Sequence, residues 1–224
     1  MTGPRVSFDR SLDALQQEIL MLGSMVEKAI AKSVDALKRR DLSASQEVVR
    51  EDDDIDRKRY ELEETVIDLI ASQQPVAKDL RTLVAALHIA VELERIGDYA
   101  EGIGKISLLM GDAPPIKPLV DIPRMAEKAQ DMLHRSMDAL VNRDVELAKV
   151  VCADDDEVDA LYDQVYRELV FLMVQDPKNI ERATFLLWAS HDLERIGDRA
   201  TNIAERVIYM VTGKMAKDTR GGRY

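Results

Sequence analysis

The hexapeptide LERIGD occurs twice in this chain, at Leu93–Asp98 and again at Leu193–Asp198, 100 residues apart in a chain of 224. Other segments repeat at an offset of 103: VDALKRRD (Val34–Asp41) returns as MDALVNRD (Met137–Asp144), and DDDIDR (Asp52–Arg57) returns as DDEVDA (Asp155–Ala160). Between its matched stretches the second half is therefore about three residues shorter than the first. Self-similarity at a fixed spacing constrains a fold strongly, because each copy must build the same local unit. The chain reads as two similar modules of about 100 residues.

Composition says which unit. Aromatic residues are only 4% of the chain, there are 10 glycines and 7 prolines, and Ala, Leu, Glu, Asp, Lys and Arg dominate. That profile predicts an all-α chain. The formal net charge is −11, which repels phosphate backbones and anionic lipid, so nucleic acid is excluded as an expected partner. No apolar run reaches the 18 residues a membrane span needs, and MTGPRVSFDR lacks a signal-peptide core. The single cysteine, Cys152, cannot form an internal disulfide. The expectation is a soluble cytoplasmic protein.

Hydrophobic spacing places six helices. Phe8, Leu12, Leu15, Ile19, Leu22, Val26 and Ala29 alternate steps of four and three, a bundle seam carried by a first helix over Asp9–Arg39. Ser43 and Gln46 resemble a capping box for a second helix that runs to Ser72. Pro75 precedes a third over Ala77–Met110, and Gly111–Pro118, with three prolines, marks the module boundary. Helices over Pro123–Asn142, Glu146–Val174 and Asn179–Thr212 repeat the plan. The expected architecture is two tandem antiparallel three-helix bundles, residues 1–112 and 119–213, related by a pseudo-twofold or a translation. Residues 214–224 form an unpatterned tail.

Two departures from packing logic recur in both modules. Asp52 interrupts the second helix's seam of Val48, Ile55, Leu62 and Val66, and Asp155 interrupts the matching seam of Val151, Val158, Val165 and Leu169. A carboxylate there is costly unless paired or bound to a cation. Asp56 and Asp159 stand one turn on, projecting to the same side. On the third helix Glu94 and Asp98 form a column facing away from the stripe of Ile89, Leu93, Ile96 and Ala100, and Glu194 and Asp198 repeat it. Like charges at that spacing repel. Gly97 and Gly197, inside otherwise strong helices, each cost roughly 1 kcal/mol against Ala and suit a place where a neighbour comes close. A solvated acidic face would explain any one of these; their joint recurrence suggests two surface-open metal sites. All-oxygen ligation favours iron, manganese, magnesium or calcium over zinc, since His88, His134 and His191 form no ligand set.

LERIGD-x-A-x-N-I at Leu193–Ile203, with an acidic DxxxD segment on the preceding helix and the whole unit duplicated, resembles the PhoU family of phosphate-signalling regulators. The resemblance covers essentially the whole chain. It implies two three-helix bundles and metal binding by Asp52, Asp56, Glu94 and Asp98 in one half and Asp155, Asp159, Glu194 and Asp198 in the other. It further implies negative regulation of the phosphate-starvation response, through contact with a phosphate ABC transporter and a sensor histidine kinase, and a homo-oligomeric state such as a dimer. The motif's Asn is Asn202 in the second half but Gly102 in the first.

Because Glu194, Asp198 and Asn202 fall at successive i, i+4 steps, the second site is expected to be the tighter, with Lys105 weakening the first. A ferritin-like di-metal oxidase is the alternative, as is a helical adaptor with no metal role. The oxidase wants Glu-x-x-His on two helices, which the chain lacks. No nucleophile–base pair or phosphate loop points to an enzyme. Cys152 and His88 read as core residues, and Met21 as a core filler.

Overall fold

A computed structural model describes residues 4–214, and side chains from residue 6 onward. Six helices follow one another: α1 (Pro4–Arg39), α2 (Leu42–Gln73), α3 (Ala77–Met110), α4 (Asp121–Asn142), α5 (Val145–Gln175) and α6 (Ile180–Thr212), with a 3-10 turn at Pro177–Asn179 before α6. No strand occurs among the described residues. The tail expected over 214–224 lies outside them from residue 215 on.

The turns show why the repeat folds as it does. Arg40 and Arg143 adopt left-handed backbone with φ of 59° and 51°, ending α1 and α4 at matched positions. The next residue caps the following helix: Asp41 Oδ1 accepts from Ala44 N at 3.0 Å, and Asp144 Oδ1 from Glu146 N and Leu147 N at 3.0 Å. Ser43 is thus already inside α2 and the expected capping box does not form. A carboxylate at the cap reaches the free amides of the first turn and meets the positive end of the helix dipole. The repeated Arg-Asp pair was the better sequence signal.

Two tandem antiparallel three-helix bundles result, α1–α2–α3 and α4–α5–α6. Among the described residues α2 packs only on α1 and α3, and α5 on α4, α6 and the 3-10 turn. Between the halves α3 packs on α6, the most extensive helix pair in the molecule, and α1 packs on α4. Helices α1, α3, α6 and α4 therefore close a central four-helix ring, with α2 and α5 as flanks. Glu92 of α3 meets Asn202 of α6 while Gly102 meets Asp192, so the two helices run antiparallel. On the other side Gln130 Nε2 of α4 donates to Glu27 O of α1, and Gly23 faces Met137. The relation between the halves is a pseudo-twofold rather than a translation.

Burial follows from position in the ring. α3 buries 13 residues and α6 buries 14, against 5 on α2. The single stripe expected on α3 is in fact a broad surface, since Leu93, Ile96, Ala100 and Ile103 are joined by Leu83, Ala85, Ala86, Ala90 and Gly104. One continuous core runs through both halves. Met21 is exposed instead of filling a core gap, and His88 is exposed on α3 instead of packed. Cys152 is half-buried against α6.

The paired glycines differ in what they accommodate. A Cβ on Gly97 would stand 3.0 Å from Ile55 Cγ2 and 3.2 Å from Asp52 Oδ1, and Ile55 is fully packed. On Gly197 its nearest neighbours would be atoms of Val158, at 3.5 Å or more. Gly97→Ala is therefore expected to lower stability by about 1 kcal/mol, because overpacking exceeds the helix-propensity gain. Gly197→Ala should raise it by up to about 1 kcal/mol. Urea denaturation of both variants measures this; equal shifts of the same sign would contradict the packing difference.

Candidate metal centre

In the first half, α2 brings Asp52 and Asp56 down onto the column of α3. Asp52, Asp56 and Asp98 each offer a carboxylate oxygen, and the three oxygens lie within 4.8 Å of one another. Ile55 below them is buried and packs on Gly97, so the absent Cβ sets the distance between the acids and α3. Asp52 Oδ1 and Asp56 Oδ1 are shielded from solvent and accept no hydrogen bond. Burial pushes the Asp52 carboxyl up to about 7, with Glu101, Asp98 and Asp56 adding repulsion. Partial burial and then Asp56 raise Asp98, and burial and then Asp98 raise Glu94.

Glu94 stands one turn back on the same side of α3 but outside the trio, with Arg59 and Arg95 as the cations near it. Lys105 is paired with Glu101 (i, i+4), and its charge offsets part of the repulsion on Asp52 and Asp98. Three crowded carboxylates with two orphaned oxygens fit a hard cation bound through oxygen: the cation would relieve the repulsion and satisfy those oxygens. They offer nothing to zinc's preference for thiolate or imidazole.

The second half has the same four acids but a different arrangement. Arg195 folds over the column: its Nη1 donates to Asp198 Oδ2 at 2.8 Å, and its Nε lies 3.1 Å from Glu194 Oε2. The latter approach is off the line of a hydrogen bond, and Glu194 Oε2, though buried, accepts none. Burial raises Glu194 and Asp159, and Asp198 repels both. Asp155 is half-buried on α5 and adds to the repulsion on Glu194. A guanidinium thus sits where a cation would sit.

Asn202 does not complete this column. Its Nδ2 donates to Glu92 Oε2 of α3 at 3.1 Å, beside Arg199 Nη1 at 3.3 Å. The i, i+4 step was read correctly, but the amide turns across the helix seam, where a half-buried carboxylate needs donors. His191 lies edge-on to Tyr162 with centroids 6.2 Å apart and its Nε2 is 3.4 Å from Arg195 Nε, so it does not join the acids either. The carboxylates that converge are those of the first half, whereas the sequence reading favours the second site.

The same seam holds a residue that sequence reasoning missed. Asp192 is the counterpart of Glu92, yet what faces it across the seam is Gly102, the counterpart of Asn202, and the counterpart of Arg199 is Tyr99. A Cβ on Gly102 would lie 2.8 Å from Asp192 Oδ2. Without a guanidinium or amide, burial alone pushes Asp192 up to about 7. Reading the two repeats against each other at these four positions would have exposed it.

Comparison with known proteins agrees with this architecture. The sequence matches the PhoU domain over residues 19–107 and again over 122–207. A phosphate-specific transport system accessory protein PhoU homolog of Clostridium acetobutylicum is 39% identical over 211 residues, covering 94% of this chain and 96% of that protein. A protein of the same description from Caulobacter vibrioides is 40% identical over 209 residues, covering 93% and 91%. Among solved structures, PhoU from Pseudomonas aeruginosa superposes with a TM-score of 0.89 at 34% identity, over 92% of this chain and all of that one. The phosphate transport system regulatory protein PhoU from Streptococcus pneumoniae gives 0.87 at 27% identity, over 93% and 98%.

Two outcomes follow. In calorimetric titration with Mn²⁺, Asp52→Asn and Asp98→Asn should each weaken the tightest binding by tenfold or more, while Asp159→Asn and Asp198→Asn change it less than threefold; the opposite ranking would restore the second site. For Asp192, the folded pKa of about 7 exceeds the ordinary aspartate value of 3.8. Between those pH values the unfolded chain has released its proton while the folded chain holds it, so stability falls as pH rises and levels off above about 7. Asp192→Asn should then raise the melting temperature more at pH 8 than at pH 4 in scanning calorimetry, and a pH-independent gain would refute this.

Proposed function

This chain belongs to the PhoU family, and from that membership we propose that it is a metal-binding regulator of phosphate uptake and signalling. Its relatives carry the description of phosphate-specific transport system accessory proteins, and one solved neighbour that of a regulatory protein. In this reading the chain represses the phosphate-starvation response by associating with a phosphate ABC transporter and a sensor histidine kinase. It acts by association and not by catalysis. No described helix is long and apolar enough to cross a membrane, so contact with membrane components runs through their exposed parts.

The observation that carries the metal component is the convergence of Asp52, Asp56 and Asp98 with two unsatisfied buried oxygens. The three carboxylates would hold a hard cation such as Mg²⁺, Ca²⁺, Mn²⁺ or iron, and Glu94, one turn away, would complete the oxygen set. A bound cation would supply positive charge that offsets the repulsion among these acids. The chain's part is to hold the acids there through Ile55 on Gly97. A di-metal oxidase of ferritin type would need imidazole among the ligands, and the one histidine near either column, His191, is turned to Tyr162 and Arg195.

Deleting the gene in its native host should raise phosphate-starvation reporter output in phosphate-rich medium, and the wild-type gene in trans should restore repression. Output that stays repressed in the deletion strain would defeat the regulatory reading.

A further inference from the structure

The two halves close the groove beside their first helix differently. Between α1 and α2 lies an open-sided cavity of about 280 Å³, lined by Met25, Lys28 and Ala29 of α1 and by Glu51, Asp54 and Ile55 of α2. Two interhelical ion pairs bracket it, Glu18 with Lys58 on one side and Lys32 with Glu51 at 2.8 Å on the other. Ile55, at the floor, is held from behind against Gly97 and does not fold up into the space.

The second half shows the same groove filled. At the offset of 103, Met132 stands where the first half has Ala29, and Lys128 where it has Met25. Met132 is 1% exposed, so its side chain occupies room that the methyl of Ala29 leaves empty. Lys128 crosses to Glu157, and Arg135 crosses to Asp154 at 2.7 Å. Met25 has no charge to offer Asp54, the counterpart of Glu157, and Asp54 pairs with Arg57 on its own helix instead. The cavity is thus a product of two substitutions and not a requirement of the fold.

The lining selects an occupant. Met25, Ala29 and Ile55 present an apolar floor, and methionine adapts its shape to what it meets. Of the three charged residues, Glu51 is held by Lys32 and Asp54 by Arg57, whereas Lys28 is exposed and makes no ion pair among the described residues. Its counterpart Asp131 is paired with Arg135. One uncommitted ammonium beside an apolar floor suits one negative charge on an apolar body. A dianion would meet the carboxylates of Glu51 and Asp54 on the same rim. Ligand sites span roughly 300–1,000 Å³, so this volume suits a small molecule and is too short for a partner helix. We propose that the cavity binds a small organic monoanion, a carboxylate on a compact apolar body, and that Lys28 receives the carboxylate. The proposal goes beyond the regulatory reading and stands or falls without it.

Methionine methyl groups labelled with ¹³C place a reporter in the cavity at Met25, whose resonance is identified by its loss in Met25→Leu. Titrating 4-phenylbutyrate into the full chain should shift that resonance saturably. 4-Phenylbutylamine has the same body with the opposite charge, and inorganic phosphate has the charge without the body. Each should bind at least about fivefold more weakly than the carboxylate. Lys28→Gln should weaken 4-phenylbutyrate by about threefold or more, the scale of one exposed ion pair. Ala29→Met imports the side chain that fills the second half, and should weaken it by about tenfold or more with an unchanged circular dichroism spectrum.

A Met25 methyl that does not respond saturably overturns the proposal. So does either control compound binding within about twofold of the carboxylate, or binding that survives Ala29→Met within about twofold in a folded chain. Should Ala29→Met fail to fold, the exposed position decides: affinity for 4-phenylbutyrate unchanged by Lys28→Gln overturns the assignment as well.

Discussion

Everything else in the molecule is arranged around the antiparallel packing of α3 on α6. Each of these helices touches three others, so each must be apolar or small around most of its circumference. That is why Ala85, Ala86, Ala90, Ala100 and Gly104 recur on α3 beside the large aliphatics. Small residues bring helix axes close and leave little room for a long polar side chain to escape to water. The polar groups that do lie along the contact must therefore find partners across it, as Glu92 does with Arg199 and Asn202. Losing one such partner leaves a charge to be desolvated without compensation.

The acidic columns occupy the narrow arc of α3 and α6 left over by this packing, beside the flanking helices α2 and α5. Half-burial between two helices raises the energy of crowded carboxylates well above that of a solvated face. The two halves meet this cost differently. In the first, Arg95 is exposed and the three aspartates remain crowded, whereas in the second Arg195 lies on Glu194 and Asp198. An identical hexapeptide thus yields one open oxygen cluster and one internally neutralised column, and the difference arises from neighbours, not from the motif.

Much of this was legible in the sequence. Seam spacing placed α3 and α6 closely and the long flanking helices within a few residues, because amphipathic periodicity reports directly on burial. The acids intruding on the α2 seam at Asp52 and on the α5 seam at Asp155 marked the site region for the same reason. What stayed hidden depends on contacts between segments distant in sequence. The helical wheel could not show that Asn202 turns toward Glu92, that Arg195 closes over Glu194, or that His88 lies on the exposed side of a helix buried on three sides. The capping error was of another kind: Asp41 and Asp144 were visible as a repeated pair, and a serine two residues later drew the reading away.

The seam also bears on whether the halves are interchangeable. The acid that needs donors, Glu92, belongs to the first half, and the guanidinium and amide that serve it belong to the second. A copy of the first half set in place of the second would present Tyr99 and Gly102 to Glu92, with no donor side chain of either kind. A copy of the second in place of the first would instead give Asp192 both Arg199 and Asn202 to face. The duplication has become directional: the first module depends on its companion for a service that it cannot return, so a chimera of two second modules is a sounder molecule than a chimera of two first ones.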